Sequence, residues 1–365
     1  MSIRREFGST GLEVSPLCLG GNVFGWTCDE QASFAVLDAY VEAGGNFIDT
    51  ATVYSTWVPG NVGGESEAVI GRWLKARGNR ADLVIATKVG YPGDPHMRAG
   101  LDRANIREGI EGSLNRLGIE QVDLYYAHKD DPATPLDETM GVLSELVDEG
   151  LVRTLAASNY SAGRLAEAID VSDTHALARF EGYQPHFNLL ERAELEGDAE
   201  EVCVREGLGV APYFTLARGF LTGKYRQGQD LPATPRAGGI ANEYLNDRGW
   251  ALLSVLDEVA AAHGATPAQV SLAWLMQRPS ISCAIASATS PAQVAEIMGD
   301  APRLAGDDPG HLLTRPEPDA RPGRGGRPGR DARPGPVARP NRGEPSKSGW
   351  TSSPKTGPGS PGRPR

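Results

Sequence analysis

Along residues 17–298 a short apolar run is followed, again and again, by an amphipathic helical segment, and glycine closes most of these helices. The runs read LCLGG, NFID, LVIATKV, VDLYYAH, VRTLAAS, FEGYQ, GVAPY and CAIA. Helical patterns fall at 30–43, 65–76, 103–117, 136–149, 162–169, 195–206, 250–263, 267–277 and 291–298, with Gly44, Gly78, Gly118 and Gly150 just past the earlier ones. Glycine there suits a left-handed helix end. Strand–helix alternation of this kind makes a parallel sheet covered by helices, and the number of strands is that of a (β/α)8 barrel. Ahead of it, 4–7 and 12–15 flank Gly8 and Gly11, a pattern that predicts a β-hairpin plugging the barrel floor. A doubly wound sheet is the competitor, but it expects G-x-G-x-x-G after the first strand, where this chain reads GGNVFG.

Composition changes near residue 303. The segment 303–365 carries 13 Arg/Lys against 6 Asp/Glu and 13 of the 27 prolines, so of the net charge of −11 the preceding part holds −18. An acidic body argues against nucleic acid as the partner. The Pro/Gly/Arg-rich tail cannot bury enough apolar surface to offset its ordering entropy, which predicts disorder over 303–365 and one domain over 1–302. The tail reads either as a basic arm for an anionic partner or as a segment without a selected role, and its repetitive composition favours the second. No apolar stretch approaches the ~20 residues of a membrane span, and MSIRREFGST lacks a signal-peptide core, so a cytoplasmic protein without membrane contact is expected. Cys18, Cys28, Cys203 and Cys283 form no CxxC pair, and no His/Cys cluster suggests a metal; reduced thiols are expected.

Four polar residues lie at or just past the ends of successive apolar runs: Asp49, Tyr54, Lys88 and His128. Singly, each has an ordinary structural reading: a turn cap, a rim aromatic, a solvated lysine, a satisfied core histidine. In neighbouring parallel strands they converge at the C-terminal mouth, where α/β barrels place their chemistry. A phenol beside an ammonium releases its proton more easily, an acid holds the ammonium, and an imidazole orients an oxygen.

The motifs LGGNVFGW, GGNFIDTATVYS, GESEAVIGRWL, IATKVG, VDLYYAHKDD, AASNYS, YQPHFNLLER, PYFTLARGFLTGKY and CAIASATSPAQVAEI occur in an order that resembles the aldo-keto reductase family over roughly residues 1–300. The long interval between Tyr225 and Trp250 is similar to members that fold an extended loop over the cofactor. The resemblance implies a (β/α)8 TIM barrel that reduces a small carbonyl substrate with NADPH, NADH being tolerated, with Asp49, Tyr54, Lys88 and His128 as catalytic tetrad. It further implies cofactor contacts from Gly21, Asn22 and Asp49. Ser158, Asn159 and Gln184 would hold the carboxamide, and Tyr213 would stack on the nicotinamide. Leu216, Arg218 and Gly219 would wrap the pyrophosphate; Lys224 and Arg236 match basic positions suited to a 2′-phosphate; Ser287, Thr289, Gln293 and Glu296 match the last phosphate and adenine contacts. Where many members have Pro-Leu after the stacking aromatic this chain has Thr215-Leu216, which predicts a looser loop, and Thr289 replaces a common cation. The segment after 298 does not resemble the family's usual pocket-closing C-terminus.

Phe24, Trp26, Tyr54, Trp57 and Tyr91 suggest a partly apolar mouth, unless Trp26 and Trp57 only pack the rim. No Arg-rich cluster marks a phosphorylated substrate in the early loops, although Arg98 and Arg103 lie after the third strand. Two other functions fit parts of the sequence: a Schiff-base enzyme using Lys88 as nucleophile, and a cofactor-bound regulatory subunit with little turnover. The oligomeric state does not follow from the sequence.

Overall fold

The computed structural model describes residues 4–92 and 99–299. The expected disordered tail and Arg98 lie outside the described residues. The chain opens on an antiparallel hairpin, β1 (Arg5–Glu6) and β2 (Glu13–Val14). Eight parallel strands follow: β3 (Leu17–Gly20), β4 (Phe47–Asp49), β5 (Val84–Val89), β6 (Val122–Ala127), β7 (Val152–Ser158), β8 (Phe180–Gln184), β9 (Gly209–Val210) and β10 (Ala284–Ala286). Around them run α1 (Glu30–Glu42), α2 (Glu65–Arg77), α3 (Arg103–Leu117), α4 (Leu136–Asp148), α5 (Ala162–His175), α6 (Asp198–Glu206), α7 (Ala237–Tyr244), α8 (Asp247–His263), α9 (Pro267–Met276) and α10 (Pro291–Met298).

The strands pair in chain order, with β10 beside β3. The ring closes where the Ser282 and Cys283 N–H groups donate to the Val210 carbonyl at 3.0 and 3.3 Å and Ile285 N–H donates to the Pro212 carbonyl at 3.1 Å. Chain order maintained around a closed ring is the (β/α)8 barrel; a doubly wound sheet would reverse its order partway across. β9 is shorter than its apolar run because Pro212 has no N–H to give a ladder, and Tyr213 rejoins the sheet only as a bridge to His186.

Two differences from the sequence reading have local causes. α5 continues six residues beyond 169, and its end is set by Ala176 in a left-handed conformation (φ 53°), so no glycine marks it. α7 forms inside the long interval, where the pair Gly238-Gly239 disguises it; Ala237, Ile240 and Tyr244 are buried, and Tyr244 stacks on Phe220 at 5.6 Å between ring centroids.

Side chains alternate across each strand, so two apolar layers form. One lies between strands and helices. The other fills the barrel: Cys18, Phe47, Val84, Ala86, Leu124, Tyr126, Ala156, Ala211, Cys283 and Ile285, joined from below by Phe7, Leu12 and Val14 of the hairpin region. Phe7 meets Phe47 edge-on at 5.6 Å and occupies the space that side chains at Gly182 and Gly209 would need, since a Cβ there would come within 2.8 and 2.5 Å of its ring. The hairpin is thus the floor of the barrel. Phe7→Ala leaves a cavity under the strands and is expected to cost about 3–5 kcal/mol, read as a shift of the urea unfolding midpoint.

Candidate functional site at the C-terminal mouth of the barrel

The inward period-two positions that fill the barrel end, strand by strand, in polar residues. Asp49 closes β4, Lys88 lies next to last in β5, His128 follows β6, Ser158 closes β7 and Gln184 closes β8. The topmost layer of the barrel is therefore a layer of chemistry, placed by the same alternation that packs the apolar layers beneath it.

Lys88 Nζ donates to Asp49 Oδ2 at 2.7 Å, to the Thr50 carbonyl at 2.9 Å and to Tyr54 Oη at 2.8 Å. Three donors, three acceptors: the ammonium is fully committed, which disfavours the Schiff-base reading. Tyr54 Oη donates to Asp49 Oδ2 at 3.0 Å, and Gln184 Nε2 donates to Asp49 Oδ1 at 2.9 Å. The Lys88–Asp49 pair is almost completely shielded from solvent, at 0% and 1% side-chain exposure. Thr50 is held in turn, its hydroxyl donating to Ser66 Oγ at 2.8 Å, which donates to the Gly21 carbonyl at 2.8 Å.

Burial, then the Asp49 charge, push the Tyr54 phenol well above its ordinary value, so the expected lowering by Lys88 is outweighed. Burial also draws Lys88 down against the pull of Asp49. His128, whose ring lies 6.3 Å from that of Tyr54 and 4.7 Å from that of Tyr91, is held well below the usual imidazole value by burial first and by Lys88 second. At neutral pH the layer thus presents a protonated phenol and a neutral imidazole.

A cavity of about 1120 Å³ opens over this layer. Its walls include Asn22, Asp49, Tyr54, His128, Ser158, Asn159, Gln184, Tyr213, Leu216, Arg218, Gly219, Lys224, Arg236, Ser287, Thr289, Gln293 and Glu296, so nearly all the sequence-predicted site residues come together. Two do not reach the wall. Lys88 lies beneath Tyr54 and Asp49, and Gly21 is turned into the scaffold, its N–H on the Asp49 carbonyl at 2.7 Å, while Gly20 takes the lining position.

Asn159, left-handed at φ 55°, donates to the His128 carbonyl at 2.8 Å and accepts from Tyr213 Oη at 2.8 Å. Ser158 Oγ donates to the Gln184 carbonyl at 2.9 Å. Beyond Tyr213 the chain turns through left-handed Phe214, Ala217, Arg218 and Gly219. Such a run is strained for residues other than glycine and persists only where its surroundings hold it. Thr215 does so: its buried hydroxyl donates to the Ile285 carbonyl at 2.6 Å, tying the loop to β10 where looseness was expected. Arg218 pairs with Glu243 at 2.8 Å and stacks over Phe214.

Among the described residues no acidic side chain pairs with Lys224 or Arg236, and burial, followed by a neighbouring arginine in each case, draws both downward. Arg236 lies over the Trp26 ring at 5.0 Å, and Trp26 meets Trp57 edge-on at 5.4 Å. Ser287 Oγ donates to Asn22 Oδ1 at 2.7 Å, and the Thr289 N–H and hydroxyl both donate to Gln293 Oε1, at the N-terminus of α10. Trp57 and Tyr91 line the mouth and are half exposed, Phe24 is buried away from it, and Arg103 is paired with Glu145 on the surface.

The sequence reading missed His186 and Glu67. His186 lies on the cavity wall and stacks on Tyr213; its signal was the continuation of the period of two beyond Gln184. Glu67 is a fully buried carboxylate that accepts from Thr87 Oγ1 at 2.6 Å and from Arg116 Nε at 2.7 Å, anchoring α2 against β5. Its partner stands far along the chain, so no local pattern marks the pair.

Because the native state keeps His128 neutral while the unfolded chain binds a proton near pH ~6.5, its contribution to stability is full above that pH and falls away as pH drops. His128→Gln is expected to flatten the decline in melting temperature between about pH 7.5 and about pH 5, measured by thermal denaturation.

The aldo/keto reductase family model matches residues 16–301. A probable voltage-gated potassium channel subunit beta from Oryza sativa subsp. japonica is 34% identical over 301 residues, covering 80% of this chain and 89% of that protein. A protein of the same description from Arabidopsis thaliana is 32% identical over the same coverage. Norsolorinic acid reductase B from Aspergillus parasiticus is 35% identical over 285 residues, or 74% of this chain and 72% of that protein. With its barrel, its polar top layer and a match over most of its length, the chain belongs to the aldo/keto reductase family.

Proposed function

We propose that the chain reduces an aldehyde or ketone to an alcohol with NADPH, Tyr54 giving the proton to the carbonyl oxygen. The observation that carries this reading is the buried cluster in which Lys88 Nζ lies 2.8 Å from Tyr54 Oη and 2.7 Å from Asp49 Oδ2, beneath the cavity. When bound, the reduced dinucleotide supplies a hydride to the carbonyl carbon. The residues present suit such a group: the cavity is large enough, two cations lack acidic partners among the described residues, and the partly exposed Tyr213 ring lies on its wall.

Tyr54, kept protonated by its surroundings, has a proton to give, and Lys88 stabilises the phenolate left behind. Asp49 balances and orients Lys88. His128, as a neutral imidazole, hydrogen-bonds the carbonyl oxygen and fixes its angle. Ser158, Asn159 and Gln184 would hold the carboxamide, Tyr213 the nicotinamide face, and the Leu216–Arg218–Gly219 turn with Asn22 and Ser287 the pyrophosphate side. Lys224 and Arg236 would take the 2′-phosphate, which favours NADPH while tolerating NADH, and Thr289, Gln293 and Glu296 the adenosine end.

Similarity to proteins named as potassium channel subunits favours one other reading, a cofactor-bound regulatory subunit with little turnover. Mixing the protein with NADPH and a panel of aldehydes and ketones separates the two. Loss of reduced-nicotinamide absorbance supports the reductase; tight NADPH binding without turnover, together with a stable partner in pull-downs, supports the subunit.

Tyr54→Phe is expected to lower kcat by about 10²–10⁴-fold while the NADPH dissociation constant barely changes; normal turnover in that variant would remove Tyr54 as donor. Lys224→Ala and Arg236→Ala are each expected to weaken NADPH about tenfold or more and NADH much less, as measured by fluorescence titration. Equal losses would refute the 2′-phosphate assignment.

A further inference from the structure

His186 lines the cavity but has no role in the chemistry above. Its ring is nearly parallel to that of Tyr213, 16° apart with centroids at 5.2 Å, and Phe214 meets its edge at 5.4 Å and 81°. The two backbones are bridged, Tyr213 N–H donating to the Pro185 carbonyl at 2.9 Å and Phe187 N–H to the Tyr213 carbonyl at 3.4 Å, while His186 N–H donates to the Glu194 side chain at 2.9 Å. Nε2 of His186 is buried without a hydrogen-bond partner among the described residues, so the imidazole is held by stacking. With its hydroxyl tied to Asn159 and one face covered by His186, Tyr213 has only its other face to offer a ligand.

We propose that His186 is a positioning residue of the nicotinamide site, which backs Tyr213, fixes its tilt and, through its own charge, sets the balance between oxidised and reduced dinucleotide. The inference rests on reading Tyr213 as the surface on which the nicotinamide stacks. An oxidised nicotinamide is a cationic ring and a reduced one is neutral. A neutral imidazole behind the phenol leaves the Tyr213 ring electron-rich toward a cation on its far side. An imidazolium there draws that density away and places a second positive charge across the ring, which penalises the oxidised form alone. The ionisable groups facing His186 are Glu194, Glu191 and Glu243, which favour its charged form, and Arg218, which opposes it; burial outweighs them and keeps the ring neutral at ordinary pH.

The test titrates the full chain with NADP+ and with NADPH by fluorescence from about pH 8 to about pH 5.5. The ratio of the NADP+ to the NADPH dissociation constant is expected to rise about fivefold on acidification. The 2′-phosphate is common to both ligands and cancels in the ratio. His186→Phe keeps a flat ring without a titrating proton, so it should bind both ligands with a pH-independent ratio. His186→Ala, which removes the backing, should weaken both. An unchanging ratio in the parent, or the parent's pH dependence persisting in His186→Phe, overturns the role of His186. Failure of either dinucleotide to bind, or Tyr213→Ala leaving affinity unchanged, overturns the Tyr213 reading and the inference with it.

Discussion

The buried ion pair between Asp49 and Lys88 is the interaction around which the top of this barrel is arranged. Two charges removed from water are tolerated only when their remaining donors and acceptors are satisfied. Here the Thr50 carbonyl and Tyr54 complete the ammonium, while Gln184 and Tyr54 complete the carboxylate. The partners come from β4 and its following loop, from β5 and from β8, so the pair requires the barrel to be closed and in register. In return it holds a fully shielded ammonium beside a phenol that lines the cavity. A lysine free in water would spread its charge into solvent and do little to the tyrosine.

Everything below and above the pair serves to keep that layer fixed. Below, Phe7 fills the space vacated by Gly182 and Gly209, so the strands are packed from inside rather than enclosing a void. Behind, Glu67 ties α2 to Thr87 of β5 and to Arg116 of α3, and Ser66 reaches across to Thr50 and Gly21. Above, the turn after β9 runs through several left-handed residues, held by the Thr215 hydroxyl on β10 and by Arg218 between Phe214 and Glu243. On the β7–β9 side the mouth is tied by hydrogen bonds among Asn159, Tyr213 and Thr215. On the opposite side it is lined by aromatics, where Trp57 and Tyr91 remain half exposed.

Periodicity made much of this legible in advance. The apolar runs put Asp49, Lys88 and His128 at strand ends, the family resemblance added Ser158 and Gln184, and most helices ended close to their glycines. Where a different residue performed the same task, the reading slipped. Ala176 ends α5 without a glycine, Pro212 cuts β9 short, and the Gly238-Gly239 pair concealed α7. Gly21 was assigned to the cofactor from its motif, yet it faces the scaffold, because one residue along a strand exchanges the inside of the barrel for the outside. The directions of ionisation were not legible at all. A lysine near a tyrosine suggests an easier proton, but burial and the shared carboxylate reverse that balance.

The sequence by itself determined the strand–helix order, the alternation that fills the barrel and the identity of the polar residues at its mouth, because these depend on local pattern alone. Only the tertiary structure decided that Asp49 is shared by Lys88, Tyr54 and Gln184, that Glu67 meets Arg116, and that His186 lies flat on Tyr213. Those contacts join residues from different strands and helices. Their distances, and the loss of solvent that sets their charge, come into being only when the ring closes.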